Sequence, residues 1–130
     1  MTTKKLVPLL LYLYCAHSVL VGIGLIIFPA DWLQLLGFKN YSGHFFMSQA
    51  GVFHLIMAGI YFRAARTVEQ SPELTFITIA VKATAFIFLI IYYILKPDLW
   101  ILLLSGIADG TMAFALLICI KQNSFRYKGD

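Results

Sequence analysis

The chain has 130 residues, of which 61% are hydrophobic and only 12% charged, with a formal net charge of +4. A soluble domain carries roughly 45–50% apolar and about 25% charged residues, so this composition leaves too little polar surface to hold a folded body in water. A membrane span takes about 20 apolar residues to cross roughly 30 Å of hydrocarbon, so the length accommodates spans but no sizeable soluble domain.

The first apolar run covers about 6–28 and ends at Pro29. Lys4 and Lys5 ahead of it look like the basic region of a secretory signal. The run, however, exceeds the roughly 7–15 residues of a signal core, and no small-residue cleavage site follows. It reads as a retained helix. The segment Pro29 to Gly37 then holds Asp31 as a cap-like residue, Trp32 and several leucines, and a helix-stopping glycine. This predicts a short helix lying in the membrane interface of the first outer loop, with Trp32 at headgroup level.

A second run covers about 43–62 and is followed by a polar loop from Arg63 to Glu73. Within that loop, Ser71, Pro72 and Glu73 supply an N-cap, a first-turn proline and a carboxylate at the positive end of a helix dipole. The third run covers about 74–95. In the turn that follows, Pro97 stops the third helix and Asp98 is placed to cap the fourth, which runs over about 99–120. So tight a turn makes the last two helices antiparallel neighbours. Strands of a membrane barrel run to about ten residues with alternating polarity, whereas these runs are twice as long and apolar on every side. The fold class is therefore all-α: a polytopic membrane protein forming a single transmembrane domain, an antiparallel bundle of four transmembrane helices.

Lysine and arginine set orientation through short loops. Lys4, Lys5, Arg63, Arg66, Lys121, Arg126 and Lys128 fall on one side, against Lys39 and Lys96 on the other. This places the chain in the cell membrane with N- and C-termini cytoplasmic. The same asymmetry accounts for the basic charge through anionic lipid headgroups and requires no nucleic acid. Cys15 and Cys119 map to the cytoplasmic half without CxxC spacing, and read as small buried residues.

Each span carries one ionisable group near its middle: His17, His54, Lys82 and Asp109. Because a central residue stays central whichever way its helix runs, all four are expected within about one turn, roughly 5 Å, of a common plane. Small and polar residues accompany them. Ser105, Gly106, Gly110 and Ala113 flank Asp109, Thr75, Thr78 and Ala85 share the Lys82 face, and Gly51 and Ala58 share that of His54. Gly24 lies on the His17 face, with Ser18 and Gly22 beside it. Such stripes let helices approach closely and turn these faces to the bundle interior. A lone charge at the bilayer centre costs about 2.5–3.5 kcal/mol, and a Lys82–Asp109 pair removes much of that cost. Lys82 could instead snorkel to the headgroups.

Other chemistry is less supported. His17 and His54 could ligate a haem axially, and with Asp109 they could hold zinc, but no ligand spacing supports either, and no cofactor or metal is predicted. His44 and the aromatics Trp32, Tyr41, Tyr92, Tyr93 and Trp100 read as an interfacial belt. No Ser-His-Asp order, phosphate-binding glycine loop or carboxylate pair points to an enzyme.

The run Gly22 to Pro29, the Leu35-Leu36-Gly37 stop, and a glycine-bearing second helix ending in Tyr61 to Arg66 together resemble small bacterial four-helix membrane proteins of the DoxX-like and BphX-like type. The arginine- and glycine-rich opening typical of the DoxX-like group is missing. The resemblance implies a fold and carries no site residues. Three readings of function follow. The first is a midplane pocket that binds or transports a small or lipid-soluble ligand with proton coupling through His17, His54 and Asp109; the small-residue faces also permit a homodimer or larger complex. The second is an accessory or structural subunit whose Lys-Asp-His cluster only stabilises the bundle. The third is a membrane enzyme acting on a lipid or quinone. A close-packed Lys82–Asp109 pair favours the second, and a water-accessible or ligand-filled layer favours the others.

Overall fold

The computed structural model describes residues 3–38 and 44–126; Lys39, Tyr41, Gly43 and Lys128 lie outside them. Every described element is an α-helix: α1 (Thr3–Ile27), α2 (Ala30–Leu35), α3 (Phe45–Arg66), α4 (Pro72–Leu95) and α5 (Trp100–Arg126). The four longer ones contain stretches long and apolar enough to cross a membrane: Lys5–Ile27, Phe45–Arg66, Pro72–Leu95 and Trp100–Gln122. Two helices run further than their apolar stretches suggest. The α3 helix continues to Arg66, so the polar loop starts at Thr67 rather than Arg63, and α5 continues past Ile120 to Arg126. Arginine is a good helix former, and Arg63 and Arg66 in the last turn of α3 complement the negative end of its dipole.

The caps differ in detail from expectation. Pro72 does open α4, with Ser71 at the N-cap position, but the serine side chain makes no capping hydrogen bond. Asp31 lies in the first turn of α2 behind Pro29, which occupies the N-cap. The Asp98 carboxylate accepts no hydrogen bond among the described residues; the turn before α5 is closed by backbone bonds from Leu99 to Lys96 and from Leu102 to Leu99. Proline and short side chains mark these ends in sequence, while the backbone itself satisfies them.

In the bundle α1 lies along α3 and α4 along α5; the two pairs meet through α1 with α5 and α3 with α4. Glycines set the closeness within each pair. At the α1–α3 crossing, a Cβ placed on Gly51 falls 2.6 Å from the Gly22 carbonyl oxygen and 2.7 Å from Ile26. Between α5 and α4, a Cβ on Gly110 falls 2.8 Å from the Phe86 ring and one on Gly106 falls 3.0 Å from Ile90. These glycines therefore serve the approach of helix to helix. Outward faces carry large apolar side chains such as Leu20, Phe53, Phe88, Ile107 and Phe114.

The core gathers at one end. Val7, Leu11 and Tyr14 of α1 pack with Tyr61, Ala64 and Ala65 of α3 and with Leu116 and Cys119 of α5, and Leu74 at the start of α4 lies against them. Cys119 is buried and Cys15 half-buried, both as free thiols. The exposed side chains of Lys5, Arg63, Arg66 and Lys121 flank this cluster, so we call it the basic end.

At the opposite end, the short helix expected over Pro29 to Gly37 is present as α2. Gly37, at φ +100°, ends it. Its N–H donates to Gln34 and that of Phe38 to Leu33, the paired bonds of a Schellman cap. A side chain at Gly37 would also collide with the Asp98 carbonyl of the α4–α5 turn. Trp32 stacks on Phe28 at 5.0 Å, and Trp100 Nε1 donates to the Leu35 carbonyl at 3.0 Å.

A matched pair of substitutions tests the glycine crossing. Gly51→Ala should destabilise the protein by about 1–3 kcal/mol through overpacking. Gly59→Ala, where a Cβ meets nothing within 4 Å, should be neutral or gain up to about 1 kcal/mol from helix propensity. Thermal unfolding in detergent measures both.

Candidate functional site

Along α4, Thr75, Thr78 and Lys82 recur at three- and four-residue spacing and are all buried. Thr78 Oγ1 donates to the Leu74 carbonyl one turn back at 2.8 Å, so that hydroxyl is satisfied within its own helix. Lys82 sits further along the same face. Its side chain is 3% exposed, and Nζ lies 2.5 Å from Oδ1 of Asp109, whose side chain is 12% exposed. The ammonium also lies over the Tyr61 ring of α3, 5.6 Å from its centroid. Lys82 is thus turned into the bundle and does not snorkel.

Burying two charges costs several kcal/mol per ion, which mutual attraction offsets only at close contact; the 2.5 Å separation meets that condition. The pair nevertheless leaves hydrogen-bonding capacity unspent. A lysine ammonium has three donors and a carboxylate about four acceptor positions. Among the described residues only the one bond between Nζ and Oδ1 is made.

His17 and His54 are half-buried. Both lie within electrostatic reach of Lys82 and Asp109, and His54 also of His17. Neither ring has a hydrogen-bond partner among the described residues. The structure therefore brings the four ionisable residues into one neighbourhood while giving a direct partner to only two of them. His44 stands apart as an exposed residue just before α3.

The supporting residues divide. Gly51 is buried against α1, Thr78 is buried beside Lys82, and Gly106 and Gly110 face α4. Ser105 is half-buried one turn from Asp109, and Ala113 is buried. On α1 the expected inward face needs correction. The buried line runs through Val7, Leu11, Tyr14, Ser18 and Gly22, and His17 lies one position round the helix at its flank. Gly24 is also buried, and a Cβ placed there comes nearest to the Phe28 ring, at 3.1 Å, rather than to another long helix. The close approach of Gly22 to Gly51 sets this rotation.

Two residues that sequence reasoning left out of the layer belong to it. Tyr61 lies under the Lys82 ammonium, and Tyr14 packs edge-on against Tyr61 at 6.5 Å. Tyr14 also donates from its hydroxyl to the Met112 carbonyl of α5 at 2.7 Å. Their positions carried a signal: Tyr61 stands seven residues after His54, and Tyr14 three before His17, each on the face of its neighbour. Among the described residues no group of three or more His, Cys, Asp or Glu side chains is gathered so that it could hold a metal ion. Compared with family models, curated proteins and solved structures, the chain matches none.

The ion pair predicts a non-additive pattern. Lys82→Met or Asp109→Leu alone leaves one charge buried without its partner and should cost about 3–5 kcal/mol. The double variant should recover most of that loss. Unfolding in detergent measures all three, and single variants as stable as the wild type would show that the pair contributes nothing. Tyr14→Phe, which removes one hydrogen bond between α1 and α5, should cost about 0.5–1.5 kcal/mol.

Proposed function

We propose that the protein is a multi-pass cell-membrane protein of four antiparallel spans whose charged layer binds or passes a small or lipid-soluble ligand. His17, His54 and Asp109 exchange protons with it or alongside it. The observation that carries this reading is the pair of half-buried histidines without partners beside an ion pair with unspent hydrogen-bonding capacity. In a cluster that serves only packing, buried polar groups are satisfied; unsatisfied ones grouped around a charge suit an exchangeable guest.

A structural reading is favoured by a different observation, the directness of the Lys82–Asp109 contact. It explains why α4 and α5 meet, and leaves the histidines unexplained. A membrane enzyme acting on a lipid or quinone would use the same layer, with no further group pointing to a reaction. The resemblance to DoxX-like proteins supports the family of architectures rather than either role. Orientation follows from charge: Lys5, Arg63, Arg66 and Lys121 gather at the basic end, against Lys96 at the other, which supports a cytoplasmic basic end.

Two measurements test this. Purified in mild detergent, the protein should retain a small molecule at about one per chain or per assembly, seen by native mass spectrometry. A His17→Phe/His54→Phe variant of unchanged melting temperature should lose it. A protein that carries none, with histidine substitutions silent in every respect, leaves the structural reading in its place. For orientation, a green fluorescent protein fused after Asp130 should fluoresce, while a periplasm-dependent phosphatase at the same point should stay inactive.

A further inference from the structure

Among the described residues, two buried hydroxyls have no hydrogen-bond partner: Thr75 Oγ1 on α4 and Ser18 Oγ on α1, in residues 3% and 1% exposed. A threonine or serine within a helix normally returns its hydroxyl to the carbonyl one turn back, as Thr78 does to Leu74. Thr75 and Ser18 do not, and a buried hydroxyl left without a partner is costly. Their positions give these orphans a common meaning. Ser71, Thr75, Thr78 and Lys82 fall on one face of α4, at spacings of four, three and four residues. Ile79 shares this side of the helix and packs against the core, so the face is mixed, with Ser71, Thr75 and Thr78 forming a polar line along it from the basic end to the ammonium.

Beyond Lys82 the same face continues with Ala85, Phe86 and Leu89, and Phe86 closes against Gly110. The polar line therefore joins the charged layer to one end of the bundle only. Ser18 lies one turn beyond Tyr14 on the buried line of α1. Tyr14 is tied to Met112, which stands three residues after Asp109 on α5. Running α1 away from the basic end and α5 back toward Asp109 brings Ser18 to the carboxylate's level.

We infer that the orphaned hydroxyls of Thr75 and Ser18 hold internal water, and that water reaches the Lys82–Asp109 pair along the Ser71–Thr75–Thr78 face from the basic end alone. Successive steps on that face rise about 4.5–6 Å, a gap that one water donating and accepting at ordinary hydrogen-bond length spans. Each such water finds the polar partners it needs: hydroxyls along the ladder, then the unspent positions on the ammonium and the carboxylate. The groups facing Lys82 are Asp109 from α5 and Tyr61 from α3, with His17 and His54 in electrostatic reach. Water at the pair puts all of these in proton exchange with one compartment. This deepens the ligand-layer reading by giving it a sidedness, and rests on that reading only for its biological use.

Thr75→Val decides the matter, because the isosteric change has opposite signs in the two cases. With water on the ladder, Thr75→Val removes its anchor. The melting temperature should fall, and hydrogen–deuterium exchange at the amides of Thr78 to Lys82 should slow several-fold relative to those of Ala85 to Leu89. Thr75→Ser should keep wild-type values in both. If the hydroxyl is dry, Thr75→Val relieves an unsatisfied group: the melting temperature rises, exchange is unchanged, and the inference is overturned. Slow exchange in the wild type at Thr78 to Lys82, equal to that at Ala85 to Leu89, overturns it as well. The measurement uses only water as probe, so its failure leaves the retained-molecule test of the ligand reading untouched.

Discussion

An ammonium and a carboxylate in contact inside a largely apolar bundle constrain every helix around them. Neither Lys82 nor Asp109 tolerates the low-dielectric interior alone, so α4 and α5 are held at the rotation and register that bring Nζ to Oδ1. The consequence spreads because the ammonium also sits over Tyr61 of α3. Tyr61 packs against Tyr14 of α1, and Tyr14 reaches back to the α5 backbone. A closed circuit of polar and aromatic contacts thus passes through all four long helices. Apolar packing alone is permissive about rotation, since one leucine face substitutes for another; this circuit is directional and selects one arrangement.

Much of this was legible in the sequence, and the parts that were not share a physical reason. Apolar runs of span length define helices whatever they pack against, so the four long elements were visible from composition and length. Lys82 and Asp109 could be paired because a charge in such a run has few ways to be accommodated. The rotation of α1 could not be read in the same way. His17 is the most polar residue in the apolar run of its helix, yet the buried line follows Ser18 and Gly22, because backbone contact with Gly51 decides which face turns inward. Tyr14 and Tyr61 were overlooked because a tyrosine in an apolar run does not show by residue type alone which way it faces. Both rings are buried in one cluster with the small side chains of Ala64 and Ala65, a packing that residue type alone does not announce.

The two kinds of polar residue in the layer play different parts. Lys82 and Asp109 are committed to one another. The histidines are placed near that pair without being used by it, half-buried at the edge of the inward faces. Proximity to charge with no assigned partner separates them from packing residues such as Thr78, whose hydroxyl is satisfied by its own helix. The proposed role therefore rests on what these side chains leave unbonded.

The tie between Trp100 and the Leu35 carbonyl has a mechanical consequence. The two helix pairs are joined near mid-height, one turn to the basic side of Asp109, by Tyr14 to Met112, and at the opposite end by Trp100 to Leu35, where Gly37 nestles against the Asp98 carbonyl. Two bodies tied at these two points are hindered from parting like jaws over that half of the bundle, and torsion about the line between the ties is opposed least. The ion pair sits between those fastenings, where a twist slides α4 across α3 and α5 across α1. The ties thus favour a wringing of one pair against the other over a hinge, and the charged layer lies where such a twist would be felt.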